Sequence, residues 1–303
     1  MNFKAITKIF YELTNGQDKT GEAAANTLVL DFPNSVAREY PDVFPVCWES
    51  VEAVLKAIAI SDLSPLSRRS PGLKGYDWTA YLRCSTVRMA KALSALRDRL
   101  QPSAKVLDMG SYFGNFSLAL AKSGYLVEAA DSYLTYQPAF DSVTRLMSAS
   151  GIRIRDLDEP ISDNCYDAVL MMGVIEHIPH TPRLVLEQVN RALRPGGFLI
   201  IDTPNLAYIY NRQKLSRGDS PYAPISTQYY SDLPFEGHHR EYTSAEVRWM
   251  LQQLGHANIM MEMFCYSMYA LPVLDGENLQ NYLAMQRDPA CCELIFSISQ
   301  KPF

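Results

Sequence analysis

The strongest constraint on the fold is an alternation of short apolar runs with helical patterns, which begins near residue 100. Apolar runs of this length without polar alternation are typical of strands that are buried on both faces, and their alternation with helices favours a parallel sheet. We therefore predict an α/β fold with a doubly wound, mostly parallel sheet of seven strands. The seven runs are KVLDM (105–109), YLVEAA (125–130), IRIR (152–155), DAVLMM (167–172), FLIIDT (198–203), ANIMMEMF (257–264) and ELIFSIS (293–299).

The chain divides into three regions. Residues 1–75 contain a helical pattern over 50–60 and then a linker rich in Pro, Ser and Gly, so we expect an N-terminal helical cap. Residues 76–303 form the main domain, which opens with a long amphipathic helix over 76–100. Residues 204–240 follow the fifth strand and are too long and irregular for a simple connector, so we expect an inserted lid that closes over a ligand.

Two helix boundaries carry strong local signals. The stretch HTPRLVLEQVNRALRPGG predicts a helix with Thr181 as N-cap and Pro182 at its first position, stopped by the Pro-Gly-Gly at 195–197. The stretch TSAEVRWMLQQLG predicts a capping box between Thr243 and Glu246.

The composition excludes several classes of function. The net charge of −5 comes from interspersed acids and bases, with no run of Lys or Arg to follow a nucleic acid backbone. No apolar stretch approaches the roughly eighteen residues of a membrane span, and residues 1–20 lack the apolar core of a signal peptide. Six cysteines without a CxxC pair indicate reduced, mostly buried thiols rather than disulfides or structural zinc. We therefore expect a cytoplasmic protein without a nucleic acid partner.

The stretch VLDMGSYFGNFS (106–117) combines a strand, a turn of small residues and a helix start. Such a turn directs backbone N–H groups toward a ligand. The spacing from Gly110 to Gly114 lacks the close GxG pair with which dinucleotide-binding turns approach a pyrophosphate. Asp108 would repel a phosphate and attract an ammonium or sulfonium. The turn therefore predicts a ligand with positive charge rather than NAD or ATP.

A second carboxylate, Asp131, ends the run VEAAD about twenty residues beyond the glycine turn. At that position a carboxylate can accept hydrogen bonds from both hydroxyls of a ribose. A nucleoside that carries positive charge suits both Asp131 and Asp108, and this combination indicates S-adenosylmethionine as the cofactor.

The motifs resemble a known family. VLDMGSYFG with VEAAD, SDNCYDAVLMMGVIEHIPH, LRPGGFLIIDTPN and HHREYTSAEVRWMLQQLG are similar, in this order, to the class I S-adenosylmethionine-dependent methyltransferases. The branch that they resemble most includes ubiquinone-pathway O-methyltransferases and sugar- or polysaccharide-modifying enzymes. The resemblance covers about residues 100–265 and a last strand, ELIFSISQKP. It implies a Rossmann-like fold and methyl transfer to a small-molecule acceptor.

The resemblance also implies a set of cofactor-binding residues. Asp156, with Leu157 packed on the ring, is the preferred adenine contact, although Asp158 is the alternative and both acids could be solvated turn residues. Tyr112 stands where the family usually has a glycine, so its ring is expected to lean away from the methionine part of the cofactor or over it. The expected cofactor-binding residues are Asp108, Gly110, Ser111, Gly114, Asp131, Asp156, Leu157, Met172 and Gly173.

Two histidines are candidates for a catalytic base. His177 follows the fourth strand, and His238 matches the family's HxREYT pattern next to the lid. We expect them on opposite sides of one cleft, with His238 as the proton acceptor and His177 as a wall of the cofactor pocket. The alternative is that both are structural and that catalysis works by proximity alone.

The same segment raises the question of a metal site. Glu236, His238 and Glu241 could in principle hold a metal, but their spacing fits no standard ligand set, so we expect none. Arg240 and Glu241 are expected to form an ion pair that fixes the loop.

The lid composition bears on the acceptor. Its tyrosines suit stacking against a sugar or aromatic ring, and its cations suit contact with a phosphate. We therefore expect O-methylation of a sugar or other polar small molecule, with a phosphorylated acceptor as an open alternative. N- or C-methylation and a noncatalytic S-adenosylmethionine-binding regulator remain open, and the sequence does not give the oligomeric state. The lid tyrosines are Tyr208, Tyr210, Tyr222, Tyr229 and Tyr230, and the lid cations are Arg212, Lys214 and Arg217.

Overall fold

Seven strands form the central sheet of the protein, whose computed structural model describes residues 27–231 and 235–303. The strands are β1 (Lys105–Met109), β2 (Leu126–Asp131), β3 (Arg153–Asp156), β4 (Tyr166–Met172), β5 (Leu193–Pro204), β6 (Ala257–Phe264) and β7 (Leu294–Gln300). Their order across the sheet is β3-β2-β1-β4-β5-β7-β6. The strands β1 to β5 pair in parallel, while β7 runs antiparallel to both of its neighbours. The predicted α/β fold with a mostly parallel seven-stranded sheet is confirmed.

Neighbouring residues of the central strands face two different cores. Val106 lies in one buried cluster and Leu107 in another, and the same alternation separates Ala168 from Val169. Helices cover both faces of the sheet, so the central strands β1 and β4 are buried on both sides, as their continuous apolar sequences predict, whereas the edge strands β3 and β6 are mostly partly exposed or exposed.

The helices are α1 (Asn34–Glu39), α2 (Phe44–Ile58), α3 (Ser64–Arg69), α4 (Trp78–Arg97), α5 (Asn115–Lys122), α6 (Asp141–Ala149), α7 (Arg183–Ala192), α8 (Ile209–Ser216), α9 (Ile225–Tyr229), α10 (Ser244–Gln253) and α11 (Gly276–Arg287). Short 3₁₀ turns occur at Pro71–Leu73, Tyr133–Tyr136, Ile175–His177, Ser267–Ala270 and Pro289–Cys291. Among the described residues, none of the helices combines the length and the apolar character that crossing a membrane requires.

The N-terminal region shares its core with the main domain. Val51 and Val54 of α2 lie in the same buried cluster as Leu93 of α4 and Leu120 of α5. The segment Thr27–Leu28 also pairs antiparallel with Leu274–Asp275 near the other end of the chain. Residues 1–26 of the expected cap lie outside the described residues, and the proposed boundary at residue 75 stays a prediction.

The two predicted helix boundaries have different outcomes. The capping box is confirmed, since Thr243 Oγ1 accepts from the Glu246 backbone N–H and Glu246 accepts from Thr243 N–H in return. The start of α7 is one residue later than predicted. Pro182 is the N-cap, and Thr181 Oγ1 accepts from the Arg183 N–H at 3.3 Å. The predicted stop at 195–197 is wrong because β5 already begins at Leu193, which pairs with β4.

The lid contains more regular structure than its sequence predicts. Helices α8 and α9 lie within it, whereas residues 232–234 fall outside the described residues. The six cysteines are free thiols, as predicted, and four of them are buried.

Candidate cofactor and catalytic site

The glycine turn after β1 depends on backbone conformations that favour glycine. Gly110 has φ +74°, and a Cβ there would lie 2.4 Å from Val174 Cγ2. Gly114 has φ +70°, and a Cβ there would lie 2.0 Å from Met147 Sδ. Both positions therefore exclude side chains on steric grounds as well as by conformation. The contact at Gly110 also places the segment after β4 directly against the turn.

Tyr112 adopts the left-handed conformation that the family's usual glycine would provide, with φ +49°. Its ring packs against Phe113, Phe140 and Trp78, with centroid separations of 4.4, 5.3 and 5.8 Å. These contacts stabilise a strained backbone geometry, which typically costs about 1–3 kcal/mol for a residue other than glycine.

Asp108 lies buried near the carboxyl end of β1. Its Oδ2 accepts a 2.6 Å hydrogen bond from Ser117 Oγ, a residue of α5. Burial raises the pKa of this carboxyl to about 6, against the lowering effect of Ser117. A carboxylate in this environment gains free energy from a cationic ligand, so it suits a sulfonium.

Asp131 ends β2, where its carboxylate is held by two backbone groups. Oδ1 accepts from Ser132 N–H at 2.7 Å, and Oδ2 accepts from Tyr112 N–H at 2.6 Å. Burial raises its pKa to about 6, and the two hydrogen bonds oppose this rise. The carboxylate is thereby oriented, and each oxygen keeps a further lone pair for a hydroxyl donor.

The remaining residues expected at the cofactor surround these two carboxylates. Ser111 is buried, with its hydroxyl 2.5 Å from the Tyr133 hydroxyl. Asp156 is the register partner of Asp131, and its Oδ2 accepts from Leu134 N–H at 3.4 Å. Leu157 is 37% exposed beside it, so a ring could cover it. The preference for Asp156 over Asp158 stays a prediction.

Gly173, which follows Met172 at the end of β4, lies against a buried ion pair that our sequence analysis missed. Arg88 of α4 donates from Nε to Asp202 Oδ2 at 2.8 Å and from Nη2 to the other oxygen. Asp202 is fully buried and belongs to β5. A Cβ on Gly173 would lie 3.0 Å from Arg88 Nη2, so glycine permits this close approach. The signal in the sequence was a lone Asp within the apolar run FLIIDT.

Glu176 is a second buried group that the sequence analysis left unassigned. It is 2% exposed, and its Oε2 accepts a 3.0 Å hydrogen bond from Thr203 Oγ1. Burial raises its pKa to about 7, although His238 and Arg88 lower it.

The two candidate histidines lie in contact, so the expectation that they face each other across a cleft is wrong. Their ring centroids are 4.9 Å apart with an interplanar angle of 80°. The backbone explains the contact, because the Glu176 carbonyl accepts from His239 N–H at 2.8 Å and joins the two segments. His177 Nδ1 lies 2.9 Å from the Glu236 carbonyl oxygen. His177 is exposed at the surface, yet desolvation by the segments packed around it and, less strongly, the adjacent His238 lower its pKa to about 4, so the ring is neutral at pH 7.

His238 is paired with a carboxylate. Its Nδ1 lies 3.0 Å from Glu241 Oε1, and the other oxygen of Glu241 accepts from Asn211 Nδ2 at 3.0 Å. Burial lowers the pKa of His238, but the hydrogen bond to Glu241 and the charge of Glu176 raise it more, so its pKa lies above the ordinary value.

The expected Arg240–Glu241 ion pair is wrong. Arg240 Nη2 instead lies 2.5 Å from Glu246 Oε1 of α10. Adjacent side chains of an extended segment point to opposite sides, so the carboxylate that binds His238 cannot also face its neighbour.

One group among the described residues could hold a metal ion. It consists of Glu176, His177 and His238, whose ligand atoms lie within 4.8 Å of one another. The set considered from the sequence was Glu236, His238 and Glu241. Of these, Glu236 accepts a hydrogen bond from the Tyr136 hydroxyl, and Glu241 is hydrogen-bonded to His238 and Asn211. The absence of a metal stays a prediction.

The lid cations, which were expected to contact a phosphate, instead form hydrogen bonds or an ion pair with other groups of the protein. Arg212 Nε donates to the Ala207 carbonyl at 2.6 Å, and Lys214 Nζ donates to the Pro221 carbonyl at 3.2 Å. Arg217 lies 3.6 Å from Asp219.

The lid tyrosines have different environments. Tyr222 contacts the segment that carries His238, since its hydroxyl accepts from the Glu241 N–H at 3.4 Å. Tyr229 and Tyr230 are each 76% exposed, with ring centroids 5.0 Å apart. Tyr210 donates to Asn278 at 2.6 Å and pairs with the Tyr208 ring.

Two curated proteins are similar to part of this chain. Ubiquinone biosynthesis O-methyltransferase of Rickettsia conorii is 31% identical over 105 residues, covering 33% of this chain and 35% of that protein. Glycine N-methyltransferase of Rattus norvegicus is 31% identical over 179 residues, covering 52% of this chain and 58% of that protein. The chain therefore spans less than two thirds of the length of these relatives.

A solved structure shows the same fold. It is the complex between the Haloferax volcanii Trm112 methyltransferase activator and a methyltransferase, with a TM-score of 0.50 and 15% identity. The match covers 79% of this chain and 96% of that one.

The model of the methyltransferase domain family matches residues 81–260, which is more than half of the chain and includes the glycine turn, both carboxylates and both histidines. The residues around the turn fit the family's cofactor, because Asp108 is a buried carboxylate that a cation stabilises and the Asp131 carboxylate is oriented by two backbone N–H groups. This chain belongs to the methyltransferase domain family, whose cofactor is S-adenosylmethionine.

Proposed function

We propose that this protein transfers the methyl group of S-adenosylmethionine to a hydroxyl oxygen of a small polar acceptor, with a sugar as the first candidate. The observation that carries the proposal is the hydrogen-bonded pair of His238 and Glu241, held beside the glycine turn by the segment after β4. A histidine oriented by a carboxylate is suited to remove a proton from a hydroxyl.

The residues that would hold the cofactor lie at and after the carboxyl ends of the strands. Asp131 would accept hydrogen bonds from the ribose hydroxyls, and Asp156 with Leu157 would contact the adenine. The buried charge of Asp108 would stabilise the positively charged end of the cofactor. Gly110, Ser111, Gly114, Met172 and Gly173 would hold its methionine part. When bound, the cofactor would supply an electrophilic methyl group on a sulfonium.

His238 has one nitrogen available for the acceptor. Its Nδ1 donates to Glu241, so in the neutral ring Nε2 carries the lone pair. Nε2 would take the proton of the acceptor hydroxyl as the hydroxyl oxygen takes the methyl group, with the cofactor's sulfur as the leaving group. His177, whose pKa is lowered, would form an uncharged wall beside this position. Most of the acceleration comes from holding the acceptor in line with the methyl group.

The lid supports an uncharged, hydroxylated acceptor. Tyr229 and Tyr230 expose ring faces suited to stacking on a sugar. The lid cations already have partners, so we favour a neutral acceptor over a phosphorylated one. The free thiols suit a reducing compartment, and we propose a cytoplasmic metabolite as substrate.

A second candidate is N-methylation of an amine. The similarity to rat glycine N-methyltransferase over 52% of this chain favours it, as does the excess of carboxylates around the histidines. The cofactor residues would be the same for either acceptor atom.

The decisive experiment is an acceptor screen. The protein is incubated with S-adenosylmethionine labelled in its methyl group and with pools of hydroxylated and amine metabolites, and products are identified by mass spectrometry. Label on oxygen together with release of S-adenosylhomocysteine supports the proposal. Label on nitrogen favours the second candidate, and tight cofactor binding without turnover in any pool favours a noncatalytic regulator.

A further inference from the structure

Glu241 connects the proposed base to the lid. Its side chain is 10% exposed and lies between His238 Nδ1 on one side and Asn211 Nδ2 on the other, at 3.0 Å from each. The carboxylate thus has one oxygen on the histidine and the other on a residue of lid helix α8.

Asn211 is itself firmly held. It is 7% exposed, and its Nδ2 lies 3.4 Å from the carbonyl oxygens of both Asn205 and Leu206, which follow β5. The Asn205 side chain in turn donates to the Cys292 carbonyl at 2.8 Å, next to β7. The chain of contacts therefore begins at the rigid sheet, passes through the first lid helix and ends at the imidazole.

The other groups that face His238 do not fix the orientation of its ring as Glu241 does. The His177 ring contacts it edge to face, which restrains the ring plane but offers no charge at neutral pH. Glu176 attracts the protonated form electrostatically, but its Oε2 is engaged by Thr203. Among the described residues, Glu241 is the carboxylate with a hydrogen bond to the ring.

We propose that Glu241 and Asn211 are positioning residues that orient the imidazole of His238 and connect it to the lid. This proposal rests on the proposed function, in which His238 removes the acceptor proton. Glu241 selects the tautomer with the proton on Nδ1, and Asn211 keeps the carboxylate in place.

The first test is independent of the acceptor. The full chain is labelled with ¹⁵N-histidine, and NMR reports the tautomer and the titration midpoint of His238 in the wild type and in Glu241→Gln, Glu241→Ala and Asn211→Leu. The chain has only five histidines, so assignment by single His→Gln variants is practical. His239→Gln is the matched control, since that neighbouring ring contacts the Phe235 carbonyl instead.

We expect the neutral wild-type ring to be protonated on Nδ1. Glu241→Gln preserves the shape but removes the charge, so the midpoint should fall by about one pH unit. Glu241→Ala should also shift the tautomer toward Nε2–H, and Asn211→Leu should shift the midpoint less than Glu241→Gln does. An unchanged midpoint and tautomer in both Glu241 variants would overturn the proposal. If Glu241→Ala does not fold, as judged by thermal unfolding, the isosteric Glu241→Gln variant decides.

A second test uses the acceptor found in the screen and separates this proposal from the proposed function. In Glu241→Gln the rising limb of the kcat–pH profile should move to lower pH, while the KM for S-adenosylmethionine stays unchanged. If His238→Ala abolishes turnover but Glu241→Gln leaves the profile in place, the positioning role fails and the base survives. If His238→Ala keeps full turnover, His238 is not the base, and Glu241 and Asn211 then have no catalytic effect through it.

Discussion

The backbone N–H of Tyr112 donates a 2.6 Å hydrogen bond to Oδ2 of Asp131, joining the glycine turn to the end of the neighbouring strand. This contact explains how a tyrosine is accommodated in a left-handed conformation, because the hydrogen bond and the ring packing offset the backbone strain. It also means that Asp131, which we propose for the ribose, is hydrogen-bonded to the turn that we propose for the rest of the cofactor.

Replacing Asp131 should weaken cofactor binding. We expect Asp131→Ala to reduce the affinity for S-adenosylmethionine by about 1.5–3 kcal/mol, since hydrogen bonds to a charged group are lost. Calorimetry measures the change, and Asp163→Ala, an exposed acid 3.8 Å from Arg191, is the control. Unchanged affinity in Asp131→Ala would remove the ribose assignment.

The charge of Asp108 should exclude phosphate ligands from this pocket. We expect neither NAD nor ATP to displace S-adenosylmethionine in a competition assay, because a carboxylate at the turn repels phosphate. Tight competition by either nucleotide would contradict the assignment of Asp108 to the cationic end of the cofactor.

Gly114→Ala should destabilise the fold by about 2–4 kcal/mol, because it combines the cost of a positive φ with overlap against Met147 Sδ. Gly151→Ala is the matched control, since Gly151 has φ +78° and no atom within 4 Å of an added Cβ. The difference between the two variants in chemical denaturation isolates the overlap. Equal losses of stability would show that Met147 moves away at little cost.

His238→Ala should lower turnover by about two to four orders of magnitude with cofactor affinity nearly unchanged, since general-base assistance is worth about that much. Steady-state kinetics with the acceptor from the screen and calorimetry with S-adenosylmethionine measure the two effects. His239→Gln serves as the control. Near-normal turnover in His238→Ala would mean that catalysis works by proximity alone.

We expect His256 to make the free energy of unfolding depend on pH. The ring is buried, with Nδ1 at 2.8 Å from Ser299 Oγ and Nε2 at 3.1 Å from Asn190 Oδ1, and burial lowers its pKa to about 4. In the unfolded chain this histidine binds a proton below about pH 6.5, whereas in the folded protein its ring stays neutral down to about pH 4. Its contribution is therefore present above pH 6.5 and is lost as pH falls toward 4, by up to about 3 kcal/mol.

The comparison of wild type with His256→Asn isolates this effect. The raised pKa values of Asp108, Asp131 and Glu176 act in the opposite direction, but they are common to both proteins. Urea denaturation between pH 7 and pH 4 should show the stability difference shrinking as the pH falls. A difference that is constant with pH would show that His256 titrates normally in the folded protein.

Most of the fold could be predicted from local signals along the chain. Buried strands need continuous apolar runs, and a capping box needs only Thr243 and Glu246, so both can be recognised within a few residues. The start of α7 was misplaced by one residue because Thr181 and Pro182 can both occupy a cap position, and only the backbone conformation distinguishes them.

The site was harder to predict because its contacts join distant residues. Arg88 and Asp202 are 114 positions apart, and an arginine on an amphipathic helix is ordinarily solvated. The contact between His177 and His238 depends on a backbone hydrogen bond from His239 to Glu176, which neither motif encodes by itself. The sequence therefore singled out the glycine turn and the two histidines, but not the buried groups Arg88, Asp202 and Glu176 or the contacts that join distant segments.

The buried pair of Arg88 and Asp202 limits how far the protein can be shortened from its N-terminus. A version that begins just before β1 would retain every motif of the cofactor turn and the sheet, yet it would leave the Asp202 carboxylate without its guanidinium in the interior. Removing one partner of a buried ion pair costs about 3–5 kcal/mol, a large fraction of the stability of an ordinary domain. The minimal folding unit therefore includes helix α4 at least as far back as Arg88, and a fragment chosen by motif boundaries alone would be expected to aggregate.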